Sequence, residues 1–586
     1  MQFQKAWRII KENIALPCSV ATLAGMNTLR RLKHLFAFAT VATLLAVSVT
    51  RSIAQTPAVA VTTPAPRLLV FIAIDGLPMR QVTGYRDQLA SDGFNRFLQR
   101  GVAFNNAFYG HGYTVTAPGH ATMLSGAYPH RSGIIGNEWR DPKTGKSVYC
   151  TQDDDHSYIG NKTAPLSGTS PKNLQAETVG DVLRRATPAS KVIGISSKDR
   201  GAILPAGHLG TAYMYMSESG QYASTTYYMK AHPAWVDTFN AAKPADAYFK
   251  KTWAPLLPES AYQRSVPDGQ TWQRVDGNAN RLPAVIGEGS DAPGARFYGN
   301  LVGTPFSDEL SLAFARAAIE GEALGQGPQT DILSVSLSAH DYVNHAFGPE
   351  SRLSHDHFLH LDRALQTFFA DLDLRIGKDN YVAVLTADHG FADTPEWTQS
   401  QGRNAGRLNP GSALSVVNSA LSAKFGEAKW TLGLSSAGIL LDSNVIAAKG
   451  LASATVENEA KAVLLQIKGV ADVFTREQLT GADPTTTPFL AAMRNAWFAG
   501  RSPQLVVLLE PGWILSGNNT GTTHGSPYFY DTHVPILLYG PRWVGVGPVQ
   551  ERVEVVDIAP TLSRILKIVS PAQSEGRLLP LPAQVR

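Results

Sequence analysis

Five stretches of the chain are nearly uninterrupted apolar runs: Arg67–Ile74, Lys191–Ser196, Asp331–Leu337, Tyr381–Thr386 and Val534–Gly540. A strand with one wet face alternates apolar and polar residues, whereas one buried on both faces does not. These runs therefore predict strands of a sheet covered on both sides. Helical periodicity lies between them. Ser351–Leu374 carries an apolar stripe through Phe358, Leu361, Leu365, Phe368 and Leu372, and Ser307–Leu324 starts with a capping residue at Ser307. Strand–helix–strand alternation predicts an α/β fold with a largely parallel central sheet flanked by helices on both faces.

Two regions break this pattern. Residues 205–300 are rich in Tyr, Trp, Ser, Pro and Gly, and residues 395–515 mix loops with short helical and strand patterns. Both read as insertions that cap the sheet edge within one catalytic domain, 67–586; a separate domain for each is the alternative. Residues 55–66 form a Pro/Ala/Thr-rich linker. Before it, Arg30, Arg31 and Lys33 precede an apolar run, Leu35–Val49, and small residues at Ser52–Ala54. That is the order of an export signal, and the run is shorter than the roughly 20 residues that span a bilayer. Residues 1–54 are thus an N-terminal extension and signal peptide, with Met26 as an alternative start. A periplasmic or secreted location is expected, with no stable membrane span after cleavage.

Composition narrows the chemistry. The formal net charge is +4 over 586 residues, with no dense basic run beyond the N-terminus, so nucleic-acid binding is not expected. The only cysteines are Cys18 and Cys150. Signal cleavage would remove Cys18 and with it any intrachain disulfide. Any metal must be held by histidine and carboxylate.

Four of the apolar runs end in polar clusters: Asp75, then Lys198-Asp199-Arg200, Asp341 with His345, and Asp388-His389-Gly390. Ligands of open α/β sheets bind beyond the carboxyl ends of the strands, so these clusters point to one shared site. Asp341 and His345, four residues apart, share a face on a helical turn. Adjacent Asp388 and His389 must be aimed inward by one loop, and Gly390 permits an unusual backbone angle there. In Thr116-Ala-Pro118-Gly-His120, Pro118 suits the first turn of a helix, which puts Thr116 at the helix entrance where anions are favoured. Taken alone, Thr116 is equally an N-cap. Lys198 and Arg200, alternate residues of an extended segment, would point the same way and reach one anionic ligand; a solvated surface pair is the plainer alternative.

With Gly133-Ile-Ile-Gly-Asn137-Glu-Trp139, Asp341-Tyr-Val-Asn-His345 and Thr-Thr-His524-Gly added, the set resembles the alkaline phosphatase superfamily, closest to its periplasmic Thr-nucleophile enzymes, over residues 67–565. These in turn resemble nucleotide pyrophosphatase/phosphodiesterases. The resemblance implies two zinc ions, one held by Asp341, His345 and His524, the other by Asp75, Asp388, His389 and Thr116. It implies that Asn137, Lys198 and Arg200 contact phosphate oxygens and that small phosphate esters react through a covalent phosphothreonine, with broad specificity. The metals would stand about 4 Å apart. His355, His357 and His360 lie in the striped helix and read as surface or structural residues. Counting two zincs and two cations against three carboxylates and an ionised Thr116 leaves a positive balance suited to a monoester dianion. A phosphodiesterase or nucleotide pyrophosphatase on the same scaffold is the alternative, and a non-catalytic metal-dependent binding protein is another. The sequence does not set the oligomeric state.

Overall fold

The computed structural model describes residues 63–161, 166–274, 280–481 and 487–584. The export signal and most of the linker lie outside the described residues. Among these residues, no helix is long and apolar enough to cross a membrane.

The centre is a nine-stranded sheet. Its strands are β1 (Leu68–Ile74), β2 (Val102–Phe104), β3 (Val192–Ser196), β4 (Thr211–Met216), β5 (Gln221–Ala223), β6 (Asp331–Leu337), β7 (Tyr381–Thr386), β8 (Ile536–Tyr539) and β9 (Gly547–Val549). Their spatial order is β9-β2-β8-β7-β1-β6-β3-β4-β5. Strand β1 is wholly buried and pairs in parallel with β6 on one side and β7 on the other. Parallel pairing continues from β6 through β3 to β4. The fold is therefore the expected α/β arrangement, and four of the five apolar runs form its parallel core. The fifth becomes β8, which lies antiparallel to β7. Residues 205–300 contribute β4 and β5 to the sheet itself before leaving it.

Helices cover both faces. The five used below are α1 (Thr116–Ser125), α2 (Asp199–Ala206), α3 (Pro305–Gly321), α4 (Ala339–Phe347) and α5 (Arg352–Arg375). Strand β4 displays the two-sided burial residue by residue. Ala212 and Met214 join a cluster with Ala202, Ile203 and Ala206 of α2. Tyr213 instead meets the ring of Phe314 on α3. Helix α2 rests almost on bare backbone: a Cβ on Gly194 would lie 2.1 Å from the Ala202 carbonyl, and one on Gly201 would lie 2.6 Å from Ser196 Oγ. Helix α5 begins as expected, with the Ser351 side chain accepting from Ser354 N–H at 3.1 Å. Helix α3 starts two residues before Ser307, capped at Thr304, because Pro305 fits the first helical position, where no N–H is needed. His355 and His357 are fully buried within α5, so both are structural rather than surface residues.

Residues 395–515 build a second, four-stranded sheet from 431–435, 438–441, 470–475 and 505–509. It has its own core around Val417, Leu421, Trp430, Val456 and Leu464. This body reaches the main sheet through Ala492, whose carbonyl accepts from Gly112 N–H at 2.8 Å. Ser435 Oγ accepts from Arg140 N–H at 3.0 Å.

Candidate active site

The strand ends converge as their sequence order implies. Asp75 follows β1, Asp388 follows β7, and α4 carries Asp341 and His345 on one face directly after β6. Asp75, Asp341, Asp388 and His389 are almost completely buried. His524 arrives on a distant loop and stacks on His389, ring centroids 3.4 Å apart. Two groupings bring their ligand atoms within 4.8 Å of one another: Asp341, His345 and His524, and Asp75, Asp341 and His389. Asp341 thus stands between the two, its Oδ1 3.3 Å from His345 Nε2 and 3.5 Å from His524 Nε2. Asp388 Oδ2 lies 3.5 Å from His389 Nε2.

The three histidines are held in the same manner. Nδ1 donates to a backbone carbonyl in each: Thr522 for His345 at 2.9 Å, Gly390 for His389 at 2.9 Å, and Thr114 for His524 at 2.8 Å. A carbonyl can only accept, so the proton sits on Nδ1 and the Nε2 lone pairs face inward. Burial lowers the pKa of His389, and burial with the neighbouring His389 lowers that of His524 further, which keeps these rings neutral.

The carboxylates carry more charge than the protein neutralises. Lys198 is the cation among them, its Nζ donating to Asp341 Oδ2 at 2.5 Å and lying 2.7 Å from Asp75 Oδ2. Burial opposes ionisation of Asp341, but His345 and Lys198 outweigh it and hold the pKa well below the ordinary carboxylate range. Asp75 goes the other way, pushed up by burial and by Asp388. Asp75 Oδ1, Asp341 Oδ1, Asp388 Oδ2 and His389 Nε2 are buried without a hydrogen-bond partner. Orphaned buried acceptors of this kind are costly unless a cation serves them. Neutral imidazole and carboxylate form a donor set that fits zinc.

Thr116 is the first residue of α1 and is 1% exposed. Asn137 Oδ1 accepts from the next N–H, that of Ala117, at 2.8 Å, which leaves the Asn137 amide to donate elsewhere. The helix is pressed against the segment that follows β7: a Cβ on Gly119 would lie 2.2 Å from the Asp388 carbonyl. His120 was recognised only as part of a motif. It lies fully buried, with Nδ1 3.3 Å from Asp388 Oδ2 and 2.9 Å from the Thr116 carbonyl, and Nε2 2.8 Å from Ser336 Oγ.

Two expectations change. Lys198 and Arg200 do not share an extended segment, since Lys198 caps α2 and Arg200 sits in its first turn. A helix rotates about 100° per residue, so the two side chains diverge. Arg200 Nη1 donates to Tyr149 Oη at 3.0 Å, and Tyr149 in turn donates to Asp199 Oδ1 at 2.6 Å. Gly390 does not adopt a positive φ. A side chain is excluded there by the Tyr530 carbonyl, 2.2 Å from the position of a Cβ.

One device had no sequence signal. Gly76 donates through its N–H to Asp388 Oδ1 at 2.9 Å and accepts through its carbonyl from Asn344 Nδ2 at 3.0 Å. Ser354 Oγ donates to Asn344 Oδ1 at 2.6 Å and accepts from Gln81 Nε2 at 2.8 Å. One residue, Gly76, therefore links the end of β1 to the segment after β7 through its N–H and to α4 through its carbonyl.

The family model for type I phosphodiesterase/nucleotide pyrophosphatase matches residues 69–530. The chain belongs to this family, within the alkaline phosphatase superfamily. A protein of Myroides odoratus named as a calcium-transporting ATPase is 36% identical over 519 residues, 87% of this chain and 93% of the relative. The alkaline phosphatase PhoV of Synechococcus elongatus is 34% identical over 525 residues, 88% of this chain and 93% of its own. The alkaline phosphatase PafA of Elizabethkingia meningoseptica is 33% identical over 517 residues, 88% and 94% of the two chains. The crystal structure of PafA matches at a TM-score of 0.83, covering 88% of this chain and 98% of that one. A second PafA structure is a mutant altered at one threonine, one asparagine, one lysine and one arginine. The family member described here is accordingly an enzyme of the alkaline phosphatase type, a phosphoester hydrolase.

Proposed function

We propose that the enzyme hydrolyses phosphate monoesters, with Thr116 as the nucleophile of a two-zinc site. The observation that carries this reading is the convergence of three Nε2 lone pairs and three buried carboxylates beside a threonine at a helix N-terminus. Asp341, His345 and His524 would hold one ion, and Asp75, Asp388 and His389 the other. Bound there, zinc lowers the pKa of a hydroxyl and stabilises negative charge on oxygen.

The chain's own groups account for the rest. Thr116 attacks phosphorus in line from the start of α1, where the positive end of the helix dipole favours the phosphoryl anion. The P–O bond to the alcohol breaks, the alcohol takes up a proton, and the phosphoryl group rests on Thr116 Oγ1 until water displaces it. The Asn137 amide, already turned by Ala117, donates to a phosphoryl oxygen. Lys198, held between Asp341 and Asp75, supplies positive charge to the same group; Arg200, turned toward Tyr149, would exchange that bond for a phosphoryl oxygen to join it. The spacing between the altered threonine and asparagine of the PafA mutant, and between its lysine and arginine, equals that of Thr116–Asn137 and Lys198–Arg200. That correspondence supports the four roles.

Positive charge from Lys198, with that of Arg200 once it leaves Tyr149, favours a dianionic monoester over a diester, whose second substituent removes a charge and takes up room. Broad specificity follows, because the recognised contacts all fall on the phosphoryl group. The test is kcat/KM for a nitrophenyl monoester and its diester, with metal content measured on the same sample. Diester preference, or full activity without metal, refutes the proposal. The N-terminal residues support export to the periplasm or medium, which N-terminal sequencing of the mature protein checks.

A further inference from the structure

A cavity of about 280 Å³ opens beside the site, between the Thr116 loop, the His524 loop and the second sheet. At its mouth stand Asn137, His345 and His524. Lys198, Arg200 and Asp75 are not part of its wall, so it lies away from the cations that serve the phosphoryl group. Apolar surface, from Val115, Leu434, Met493 and Trp513 among others, makes up a little over half of its lining, and Tyr113, Ser526 and Tyr530 are among the polar residues. Among the described residues, no lysine or arginine lines it. The one aspartate in the wall, Asp531, has its Oδ2 engaged, accepting from Gly525 N–H at 3.1 Å and Ser526 N–H at 2.9 Å, while its Oδ1 is buried without a partner.

In-line attack by Thr116 expels the alcohol on the opposite side of phosphorus, toward Asp341, His345 and His524, and these histidines form the cavity mouth. A charged leaving group, such as a second phosphate or a carboxylate, would meet no cation there. An apolar one would leave water and pack against Leu434 and Met493. We infer that the cavity receives the leaving group and that the preferred substrates are phosphate monoesters of uncharged, apolar alcohols. This rests on the monoesterase reading and adds the class of alcohol to it.

Primary alkyl phosphates test the idea cleanly, because ethyl, butyl and hexyl alcohols have nearly the same acidity. Differences along the series therefore report binding of the chain and not leaving-group chemistry. Transfer of one methylene out of water is worth about a four-fold gain, so the four methylenes between ethyl and hexyl phosphate should raise kcat/KM by about 200-fold when fully buried and by at least about 30-fold when mostly buried. Leu434→Asn and Met493→Gln should each reduce the hexyl-to-ethyl ratio about five-fold or more. The ratio is internal to each protein, so partial loss of folded material cancels. A series flat within about two-fold, a preference for glycerol phosphate over hexyl phosphate, or a ratio unmoved in both variants overturns the inference. Failure of the parent reading looks different: no alkyl monoester is turned over while the nitrophenyl diester is, and that result removes this inference with it.

Discussion

The floor and the roof of the cleft are built on different terms. The floor consists of strand ends whose polar side chains are tied to backbone: three imidazoles to three carbonyls, and Asp388 and Asn344 to one glycine. The roof, residues 395–515, is a separately cored body that touches the floor through a few loop contacts and half-buried apolar side chains. The floor fixes atoms to within tenths of an ångström, as metal chemistry requires. The roof offers surface without fixed partners, which suits discrimination among alcohols. Chemistry should therefore be sensitive to single floor atoms, and selectivity to roof side chains.

The largest effect expected is at Thr116. Thr116→Ala should lower kcat by about 10³-fold or more while leaving metal content near that of the parent. Steady-state rates with metal analysis check this, and a fall of under ten-fold would move the nucleophile elsewhere. Removal of metal comes next. A chelator should abolish activity and lower Tm, since three buried carboxylates would keep only Lys198 as counter-charge, and added zinc should restore both. Asn344→Ala probes the floor without touching a ligand. Loss of the bond to Gly76 should weaken zinc affinity or activity by about 10–100-fold, measured by competition with a chelator dye, with Asn344→Asp recovering part of it. A change below three-fold would mean that Gly76 needs no such brace.

Lys198→Ala and Arg200→Ala should each cut monoester kcat/KM by about 10²-fold and diester kcat/KM by less, so the ratio of the two reads the charge argument directly. The smallest effect concerns Glu350, at the edge of the floor. Burial, with Asp393 adding to it, raises its pKa to about 8. A carboxyl group whose folded pKa is raised binds more protons when folded. Its neutral form is tolerated at low pH, and stability is lost as pH rises from the ordinary glutamate value toward about 8. Glu350→Gln should then raise Tm by about 2 °C near pH 9 and leave it unchanged near pH 5, as scanning calorimetry would detect.

The floor was legible because its chemistry sits beside its structure in the chain. An apolar run followed at once by Asp75, Asp341 or Asp388 marks a strand end facing a ligand, and the spacing of Asp341 and His345 matches a helical turn. His524 had no such neighbour, since it is brought in by tertiary folding, and only the motif resemblance indicated it. The Gly76 link was invisible because it is made through main-chain atoms, which every residue possesses. The divergence of Lys198 and Arg200 was missed because α2 begins one residue earlier than an extended reading allows. Residues 205–300 concealed two sheet strands: β5 is a three-residue edge strand, and β4 lies within a stretch rich in Tyr, Ser and Gly. The roof's own sheet was readable only as an irregular region, because its four strands are four to six residues long and are separated by helices and loops.

The contact between Gly119 and the Asp388 carbonyl bears on how such an enzyme can drift. The separation of the Thr116 helix from Asp388 is set there by main chain against main chain, not by the size of the side chains around it. Substitutions among the surrounding side chains would leave the two at the same distance. The single condition is that position 119 never acquires a side chain.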